Sequence, residues 1–554
     1  MKTLKKILIA NRSEIAIRIS RAATELGYRT VSIYSYEDRF ALHRFKTDES
    51  YLVGSGLGPI QAYLDYKGIV QIALNSGCDA IHPGYGFLSE NPEFADECAK
   101  HNILFVGPSS KIMRSLGNKV EAKKTADKAK VPTIPSTGPL PRDIKKCKAL
   151  AKKIGYPIML KASWGGGGRG MRVIRKENEL ENQINTARRE AKSAFGKDDV
   201  FFEKLIEKAF HVEVQIIGDN HGNIVHLFER DCSLQRRHQK VVERAPAAYL
   251  SDKERESICQ AGVRIGKQVD YSCAGTVEFL MDAKSREFFF IEVNPRVQVE
   301  HTVTEEITGI DIVKAQFLLA SGAKIGDGIC GVPEQQDIKM KGHAIQSRVT
   351  TEDAANDFAP DYGKITVYRS ASGHGIRLDA GTAATGTVIT PYYDSLLVKV
   401  SAKGQSPVEA KQRMDRALSE FRVRGVKTNI PFLLKLINHP GFDKFDYHTK
   451  FIDSEKSLFE FSGRKDRASK TLNFLAEVIV NGNTEVANRP KLREITPAKL
   501  SDFGIAKSKK AQQAVGKTFK QILDEKGPQA VAQSVLKEKK LLITDTTFRD
   551  AHQS

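Results

Sequence analysis

The 554-residue sequence predicts a multidomain protein that combines α/β and α+β architecture, and three observations lead to that prediction. Strand and helix patterns alternate over residues 1–115, and hairpin patterns dominate the middle of the chain. After residue 455 the composition becomes helical and rich in Lys and Ala. The length also exceeds what one hydrophobic core normally organises, so we expect several domains.

The N-terminal region has the alternation of a doubly wound sheet. Lys6–Ala10 is an apolar strand, Ser13–Leu26 is an amphipathic helix closed by Gly27, and Thr30–Tyr34 is the next strand. This order predicts a Rossmann-like domain. Asn11–Glu14 stands where a G-x-G-x-x-G fingerprint would follow the first strand, so a nicotinamide cofactor is disfavoured.

A glycine-rich loop between two strands predicts a phosphate-binding lid. The strand Pro157–Lys161 leads into Trp164–Gly170 and then into the strand Met171–Ile174. Backbone N–H groups of glycines can close on phosphate oxygens, and Lys161 at the foot of the loop can neutralise their charge. A mobile hairpin turn is the alternative reading. The consecutive loop glycines are Gly165, Gly166, Gly167 and Gly168.

Two extended runs, at 275–281 and 287–293, predict a β-hairpin. A loop at 284–286 would place Glu278 directly opposite Glu292, where like charges repel. A divalent cation between the two carboxylates would remove that repulsion, because Mg²⁺ and Mn²⁺ prefer hard oxygen ligands. The hairpin therefore predicts a metal site.

Polar side chains continue past the hairpin at every second position, through Asn294, Arg296, Gln298 and Glu300. This set of acids, amides and a guanidinium suggests a site that holds a metal and an anion together, although a solvated strand face is the plain alternative. A straight strand would separate Glu292 and Glu300 by roughly 26 Å. We therefore expect the chain to bend near Asn294–Pro295, where proline cannot donate to a strand ladder.

Composition excludes several classes of protein. The net charge is +19, but no basic run alternates with aromatics, so we expect anionic small molecules rather than nucleic acid as partners. No apolar stretch is long enough to span a bilayer, and the N-terminus has no signal-peptide pattern. The seven scattered cysteines form no C-x-x-C pair, which favours reduced thiols and a cytoplasmic location.

The C-terminal third is predicted to hold short strands at 342–349 and 363–368 and a helix at 408–421. Asn481–Gly482 is a hairpin-turn signal after a predicted strand, Ala476–Val480. The last residues, 540–554, begin a strand and loop without a partner, and we expect them to open a further domain.

Three motifs carry a resemblance to a known family. His82–Asn91, Arg230–Lys240 and Arg296–His301 resemble the biotin carboxylase branch of the ATP-grasp ligases, and the likeness extends over residues 3–450. The tail Thr544–Ser554 resembles the first strand of the carboxyltransferase barrel in the pyruvate carboxylase family. A biotin carboxylase subunit of an acetyl-CoA or propionyl-CoA carboxylase is the alternative enzyme, and a nucleotide-binding regulatory module is the non-enzymatic one.

The resemblance implies five segments. They are a Rossmann-like domain at 1–118, an ATP-grasp domain at 119–330 with a lid at 132–203, a C-terminal biotin carboxylase domain at 331–454, a linker and allosteric region at 455–540, and a truncated barrel start at 541–554.

It also implies an activity, the ATP-dependent carboxylation of biotin with bicarbonate through carboxyphosphate. Glu278, Glu292 and Asn294 would hold Mg²⁺ or Mn²⁺, with two ions expected. ATP would contact the glycine loop and Lys119, Lys161, Glu203, Lys204, Leu205, His211, Gln235, His238 and Leu280.

Bicarbonate would meet Lys240, Arg296, Gln298 and the backbone of Val299, with Glu300 as its general base. Arg348 would stabilise the enolate oxygen of biotin, near Tyr85, Gly86 and Phe87. Cations around Glu300 should keep it ionised at neutral pH.

Partners follow from the same resemblance. No A-M-K-M biotinylation motif occurs, so biotin would come free or on a separate carrier. Acetyl-CoA is a possible effector, and the family forms dimers through this region and tetramers at full length. The possible effector arginines are Arg422, Arg424 and Arg467, and the idle transferase residues are Arg549, Asp550 and Gln553.

Overall fold

The computed structural model describes residues 1–117, 119–162, 172–195, 198–461, 467–482 and 517–543. The chain divides into two compact units, Met1–Ser462 and Gly463–Ser554. All seven cysteines are buried and free of disulfides. None of the described helices is both long enough and apolar enough to cross a membrane.

A five-stranded parallel sheet forms the N-terminal region, as the sequence predicts. Its strands are β1 (Lys6–Ile9), β2 (Arg29–Tyr34), β3 (Glu49–Leu52), β4 (Ala80–His82) and β5 (Leu104–Phe105), in the spatial order β3-β2-β1-β4-β5. The helices of this region are α1 (Ser13–Glu25), α2 (Pro59–Leu64), α3 (Tyr66–Asn75), α4 (Pro92–Lys100) and α5 (Ser110–Gly117).

The next segment builds a small antiparallel sheet that carries the glycine loop. Its elements are α6 (Lys119–Lys128), α7 (Ile144–Ile154), β6 (Ile158–Ala162), β7 (Arg172–Ile174), α8 (Leu180–Phe195) and β8 (Val200–Lys204). Strand β6 lies between β7 and β8, and Leu160 pairs with Arg172 beside the loop. The predicted order of strand, glycine loop and strand is confirmed for the two strands.

Long strands and short helices follow. They are β9 (Ala209–Gly218), β10 (Ile224–Arg236), β11 (Gln239–Ala245), α9 (Asp252–Gln268), β12 (Cys273–Asp282), β13 (Phe288–Asn294), α10 (His301–Thr308), α11 (Ile312–Ala320) and β14 (His343–Thr350).

The remainder of the first unit contains β15 (Glu352–Asp353), β16 (Ala359–Pro360), β17 (Gly363–Lys364), β18 (Val367–Arg369), β19 (Ile376–Ala380), β20 (Val388–Ile389), β21 (Leu396–Gly404), α12 (Pro407–Glu420), β22 (Arg422–Arg424), α13 (Ile430–Ile437), α14 (Pro440–Asp443) and α15 (Phe451–Ser454). The single strand predicted at 363–368 is thus two short strands, which pair with β20 and β22. Single 3₁₀ turns occur at 42–46, 177–179, 335–337, 354–356 and 456–459.

An eight-stranded sheet forms the centre of the first unit, in the order β13-β12-β9-β10-β11-β14-β21-β19. Several of its pairings, such as β12 with β9 and β11 with β14, join strands that are distant in the chain. The middle of the sheet therefore collects polar residues that lie far apart in sequence. One hydrophobic core joins it to the N-terminal sheet, because Ile7, Ile19, Ile217 and Phe317 belong to the same buried cluster.

The described part of the second unit is helical, with α16 (Arg467–Asn481) and α17 (Phe519–Lys537), the latter kinked at Gly527. The strand predicted at Ala476–Val480 is therefore wrong. Asn481–Gly482 ends a helix instead of turning a hairpin. Gly482 adopts a φ of 77°, and its N–H donates to the carbonyl of Val478 at 3.0 Å. A glycine with positive φ suits both roles, which is why the local signal is ambiguous.

Replacing Gly218, the last residue of β9, with alanine should destabilise the central sheet. The new Cβ would lie 2.0 Å from the carbonyl oxygen of Tyr271, a backbone atom that cannot move aside cheaply. We expect a lower Tm in calorimetry, equivalent to about 1–3 kcal/mol of overpacking. Gly138→Ala is the matched control, because its Cβ would meet no atom within 4 Å. Equal melting of the two variants would contradict this account.

Candidate active site

The hairpin of β12 and β13 places two carboxylates side by side. Glu278 pairs directly with Glu292, as the sequence predicts, and Thr276 pairs with Asn294. The turn is one residue longer than expected, because the N–H of Asp282 donates to Glu287 at 2.8 Å. A bulge at Ile291 absorbs the extra residue and restores the register of the acidic pair. The Asn294 amide donates to Glu278 at 2.8 Å, so the three proposed metal ligands are adjacent.

The chain bends where the sequence predicts. Strand β13 ends at Asn294, whose carbonyl accepts from the N–H of Arg296 at 2.8 Å, and α10 begins at His301. This short connection turns Glu300 back toward the acidic hairpin. Glu300 is 2% exposed and Gln298 is 3% exposed, so both side chains point into the protein.

Lys240 on β11 joins the two ends of this bent segment. Its Nζ lies 2.9 Å from Glu278 and 2.6 Å from Glu300, and it also lies 2.5 Å from Glu213 on β9. Burial acts to lower the pKa of Lys240, but these three carboxylates hold it well above its usual range. Lys240 is therefore a partly buried ammonium, with 13% of its side chain exposed, that is shared by three acids.

The same contacts keep the candidate base ionised. Burial acts to raise the pKa of Glu300, yet Lys240, Arg348 and Arg230 hold it well below its usual range. The pKa of Glu278 is likewise depressed, because Lys240 and His211 outweigh its burial. The expectation that cations keep Glu300 charged rests on this arrangement.

Arg230 on β10 lies beneath the site, hydrogen-bonded to its residues, and has no exposed side-chain surface. Its guanidinium donates to Glu213 at 2.5 Å and to Gln298 at 2.8 Å. Gln298 in turn donates to Glu278 at 2.9 Å. The side-chain amide of Gln298 therefore already forms hydrogen bonds within the protein. A contact with bicarbonate would have to be made in addition to these bonds. Further acceptors of Arg230 are Gln215, Thr276 and Thr304.

Arg348 on β14 reaches Glu300 from the other side. Its Nη2 lies 3.0 Å from Glu300 and 2.5 Å from Glu243 on β11, and its Nε donates to Glu243 at 2.6 Å. Burial and the nearby Glu300 raise the pKa of Glu243, while Arg348 opposes that rise. Arg348 is therefore held between two carboxylates.

Arg296 connects the bent segment to the N-terminal domain. Its Nε donates to Glu90 at 2.7 Å, and its Nη2 donates to Asn294 at 3.1 Å. Glu90 follows the loop that carries Tyr85, Gly86 and Phe87, and this loop is tied by Asn11, whose amide donates to the carbonyl of Tyr85 at 2.8 Å. The candidate biotin loop and the candidate bicarbonate arginine thus lie together.

A second connection crosses from β21. The buried Lys399 donates to the carbonyl of Val299 at 2.9 Å and lies 3.2 Å from Glu14 at the start of α1. Burial raises the pKa of Glu14 to about 7, although Lys399 opposes this. A carbonyl oxygen only accepts hydrogen bonds, so a backbone contact of Val299 with an anion would have to come from its N–H.

The candidate nucleotide residues are divided between the small sheet of β6 and β8 and the strands β9 and β12 of the central sheet. Lys161 forms an ion pair with Glu203, and Lys204 donates to the carbonyl of Gly155 at 2.8 Å. His211 pairs with Leu280 across the sheet and lies 3.0 Å from Glu278. Leu205 is buried at the end of β8.

Gln235 and His238 differ in exposure. Gln235 is buried and donates to the carbonyl of Cys232 at 2.9 Å, whereas His238 is exposed at the turn between β10 and β11 with a φ of 66°. Arg422 and Arg424 are exposed on β22, which pairs with β18. The glycine loop, the side chains of Lys119 and Arg467, and the three transferase residues (Arg549, Asp550 and Gln553) lie outside the described residues.

Sequence reasoning missed four residues of the site: Glu213, Arg230, Glu243 and Lys399. Arg230 opens the motif that carries the family resemblance but was given no role. The only local signal for the others is a charged residue inside an apolar strand pattern, such as Lys399 in the run Leu396–Val400. A charge in such a position requires a buried partner, but the sequence does not say which.

Three family models match most of the chain. Residues 3–113 match the biotin carboxylase N-terminal domain, 118–327 match the carbamoyl-phosphate synthase L chain ATP-binding domain, and 346–454 match the biotin carboxylase C-terminal domain. The biotin carboxylase domain of the 2-oxoglutarate carboxylase of Hydrogenobacter thermophilus, solved with MgADP and bicarbonate, is 42% identical with a TM-score of 0.78. The match covers 84% of this chain and 100% of that one. The chain belongs to the biotin carboxylase family, whose fold is the ATP-grasp fold.

Within that family the similarity to pyruvate carboxylases covers the whole chain. Pyruvate carboxylase of Bacillus subtilis is 52% identical over 553 residues, which are 100% of this chain and 47% of that protein. A Rhizobium etli pyruvate carboxylase variant, solved with the allosteric activator acetyl coenzyme A, is 55% identical with a TM-score of 0.80. That match covers 100% of this chain and 48% of the other. The chain therefore spans about half the length of the pyruvate carboxylases that it matches.

Replacing Lys240 with methionine should destabilise the protein most at neutral pH. Three buried carboxylates would lose their shared cation, a change of about 3–5 kcal/mol for a broken buried ion pair. Glu278 and Glu300 have depressed pKa values, so the stability they contribute is present at neutral pH and lost as pH falls through those values. Without the ammonium their pKa values should rise, and the deficit of the variant should shrink as the pH approaches 5.

Thermal unfolding between pH 5 and 8, in the presence of a chelator, measures this difference. Lys153→Met, at an exposed position of α7, is the control for loss of one positive charge. A deficit for Lys240→Met that stays constant with pH, or that equals the control, would contradict the shared-cation interpretation.

Proposed function

We propose that this chain carries out the ATP-dependent carboxylation of biotin with bicarbonate through carboxyphosphate. The observation that carries the proposal is Glu300, a buried carboxylate that Lys240, Arg348 and Arg230 hold ionised beside an acidic metal-ligand hairpin. A general base must be ionised and must lie within reach of the proton that it takes. Arg296, two residues from the metal ligands, supplies a guanidinium whose fork geometry fits a planar oxyanion.

Activation of bicarbonate is the step that needs the base. Glu300 accepts the bicarbonate proton, a bicarbonate oxygen bonds to the γ-phosphorus of ATP, and ADP leaves with the electrons of the broken P–O bond. Lys240 lies 2.6 Å from Glu300 and compensates the negative charge on that side of the site. Because the cations are fixed before substrate arrives, no solvent reorganisation is needed as charge develops.

The ligand set of the hairpin fits a hard divalent cation. Glu278 and Glu292 repel each other in the sheet unless a positive charge lies between them, and Asn294 adds a neutral oxygen. Mg²⁺ or Mn²⁺, when bound there, supplies charge neutralisation for the phosphate oxygens of ATP. Two ions remain our prediction. Lys161 at the end of β6, and Lys119, would neutralise further phosphate charge.

The proposed biotin pocket lies between β14 and the N-terminal loop of Tyr85–Phe87. Biotin, when bound, supplies the ureido nitrogen that receives the carboxyl group. Arg348 presents a guanidinium edge to this space while Glu243 and Glu300 hold its other edge. A positive charge at that point favours the enolate form of the ureido group, which makes the nitrogen more nucleophilic.

The wider role is also proposed. The whole-chain match supports a place in a pyruvate carboxylase, which converts pyruvate to oxaloacetate, over an acetyl-CoA or propionyl-CoA carboxylase. Acetyl-CoA is proposed as effector because the Rhizobium etli relative was solved with it as an activator. Homodimerisation is proposed because the Hydrogenobacter thermophilus domain is described as a dimer. Tetramers at full length, a biotinylated carrier and a cytoplasmic location remain predictions.

Glu300→Gln should lower bicarbonate-dependent ATP cleavage by roughly a hundredfold or more, because the amide cannot accept the proton. ATP binding should be retained, since Glu300 is assigned to bicarbonate and not to the nucleotide. Phosphate release and ATP titration calorimetry measure the two properties. Glu306→Gln, on the helix α10 that follows Glu300, is the matched control. Unchanged turnover in Glu300→Gln would exclude Glu300 as the base. If the unmutated chain binds ATP but shows no bicarbonate-dependent cleavage, a regulatory nucleotide-binding module would be favoured.

Removing the divalent cation with a chelator should abolish ATP cleavage, and Mn²⁺ should restore it. Glu292→Gln should raise the Mn²⁺ concentration for half-maximal activity by about tenfold or more, the effect expected for a perturbed metal ligand set. Electron paramagnetic resonance of free Mn²⁺ provides a second reading of the same affinity. Glu287→Gln, exposed at the turn of the same hairpin, is the control. Equal Mn²⁺ affinity in both variants would remove Glu292 from the ligand set.

A further inference from the structure

Glu243 lies directly behind Arg348 and has no exposed side-chain surface. One of its oxygens accepts from Nε of Arg348 at 2.6 Å and lies 2.5 Å from Nη2. Its other oxygen accepts from the Gln346 amide at 2.9 Å. Both carboxylate oxygens are thus used within the protein, so Glu243 is not placed to bind a substrate itself.

The second contact closes a ring of interactions around the site. Gln346 lies opposite Glu243 in the pairing of β11 with β14, and its amide oxygen accepts from the hydroxyl of Thr302. Thr302 is in the first turn of α10, two residues after Glu300. The ring therefore fixes Glu243 relative to both Arg348 and the helix that begins directly after Glu300.

Arg348 has two carboxylate partners, and they behave differently during turnover. Glu300 would become neutral when it accepts the bicarbonate proton, and its attraction for Arg348 at 3.0 Å would then weaken. Glu243 is buried and accepts hydrogen bonds on both oxygens, so it contacts no substrate. Its ion pair with Arg348 therefore persists during turnover. Between described residues, the hydrogen bonds of the Arg348 side chain use Nε and Nη2, which leaves Nη1 on the edge offered to a ligand.

We propose that Glu243 is a positioning residue that holds Arg348 in its biotin-facing orientation throughout the reaction, including the stage at which Glu300 is protonated. This inference rests on the proposed function and deepens it. The proposal distinguishes two steps at one site. Bicarbonate activation needs Glu300 and Lys240, whereas carboxyl transfer to biotin needs Arg348 to keep its orientation.

The test compares two rates in the same purified chain: ATP cleavage with bicarbonate alone, and its stimulation by free biotin. Glu243→Gln should lower the biotin-stimulated rate by roughly tenfold to a hundredfold, the cost of a small misplacement of a catalytic group. The KM values for ATP and bicarbonate should stay within about twofold, since the variant leaves uniform substrate binding intact. Glu243→Asp, which keeps the charge, should recover part of the lost rate.

Glu229→Gln is the matched control, because Glu229 is also a fully buried glutamate paired with an arginine, Arg255 at 3.0 Å. It is assigned no part in the site, so its two rates should both match wild type. Equal losses of both rates in Glu243→Gln, or equal losses in Glu243→Gln and Glu243→Asp, would reduce Glu243 to a structural residue and overturn the proposal.

A double-mutant cycle with Arg348→Ala provides the decisive reading. If Glu243 acts through Arg348, Glu243→Gln should cost nothing further once the arginine is removed, whereas independent effects would multiply. Millimolar guanidinium should partly restore Arg348→Ala, and this rescue should be lost when Glu243→Gln is added. If Glu243→Gln does not fold, Glu243→Asp takes its place in the cycle. Multiplying effects would overturn the inference, whereas a wild-type chain without biotin stimulation would overturn the proposed function instead.

Discussion

One partly buried ammonium, that of Lys240, organises the whole site. Glu213, Glu278 and Glu300 come from β9, from β12 and from the turn before α10, and each lies within 2.9 Å of Lys240 Nζ. Three carboxylates enclosed together would repel one another and would lose the hydration that supports their charge. Lys240 makes their proximity possible. Arg230 and Arg348 add positive charge at two further corners, so the site is close to charge balance before any substrate enters.

The central sheet is what makes this meeting possible. Its order places β9, β10 and β11 side by side, with the acidic hairpin on one flank and β14 on the other. Two contacts then tie the N-terminal region to the same place: Glu90 to Arg296, and Glu14 to Lys399. The site thus depends on three regions of the sequence at once, and a shift in any one of them would disturb a charged contact inside the protein.

Local pattern was sufficient for part of this site. Alternation in the hairpin predicted the pairing of Glu278 with Glu292, and Pro295 with the reach of an extended chain predicted the bend before Glu300. The first inference uses only backbone geometry over a few residues, and the second also requires that the metal and the anion lie close together. Glu213, Glu243 and Lys399 could not be found in the same way, because their partners are set by the pairing of distant strands. At Ala476–Val480 the local pattern was misleading. β-Branched residues before Asn-Gly are compatible with a strand and hairpin turn as well as with a helix that ends at glycine.

The bulge at Ile291 divides the acidic hairpin into two segments with different tolerance for insertions and deletions. On the turn side, the ladder is already offset by one residue, and the offset ends before it reaches Glu278 and Glu292. A one-residue change in the turn can therefore be taken up by gaining or losing a bulge, and the acidic pair keeps its register. Between Glu292 and Glu300 no bulge can compensate for an insertion or deletion, because the bend spans a fixed distance from the hairpin to Lys240. Relatives of this chain should accordingly vary in length before Phe288 and keep a constant spacing after it.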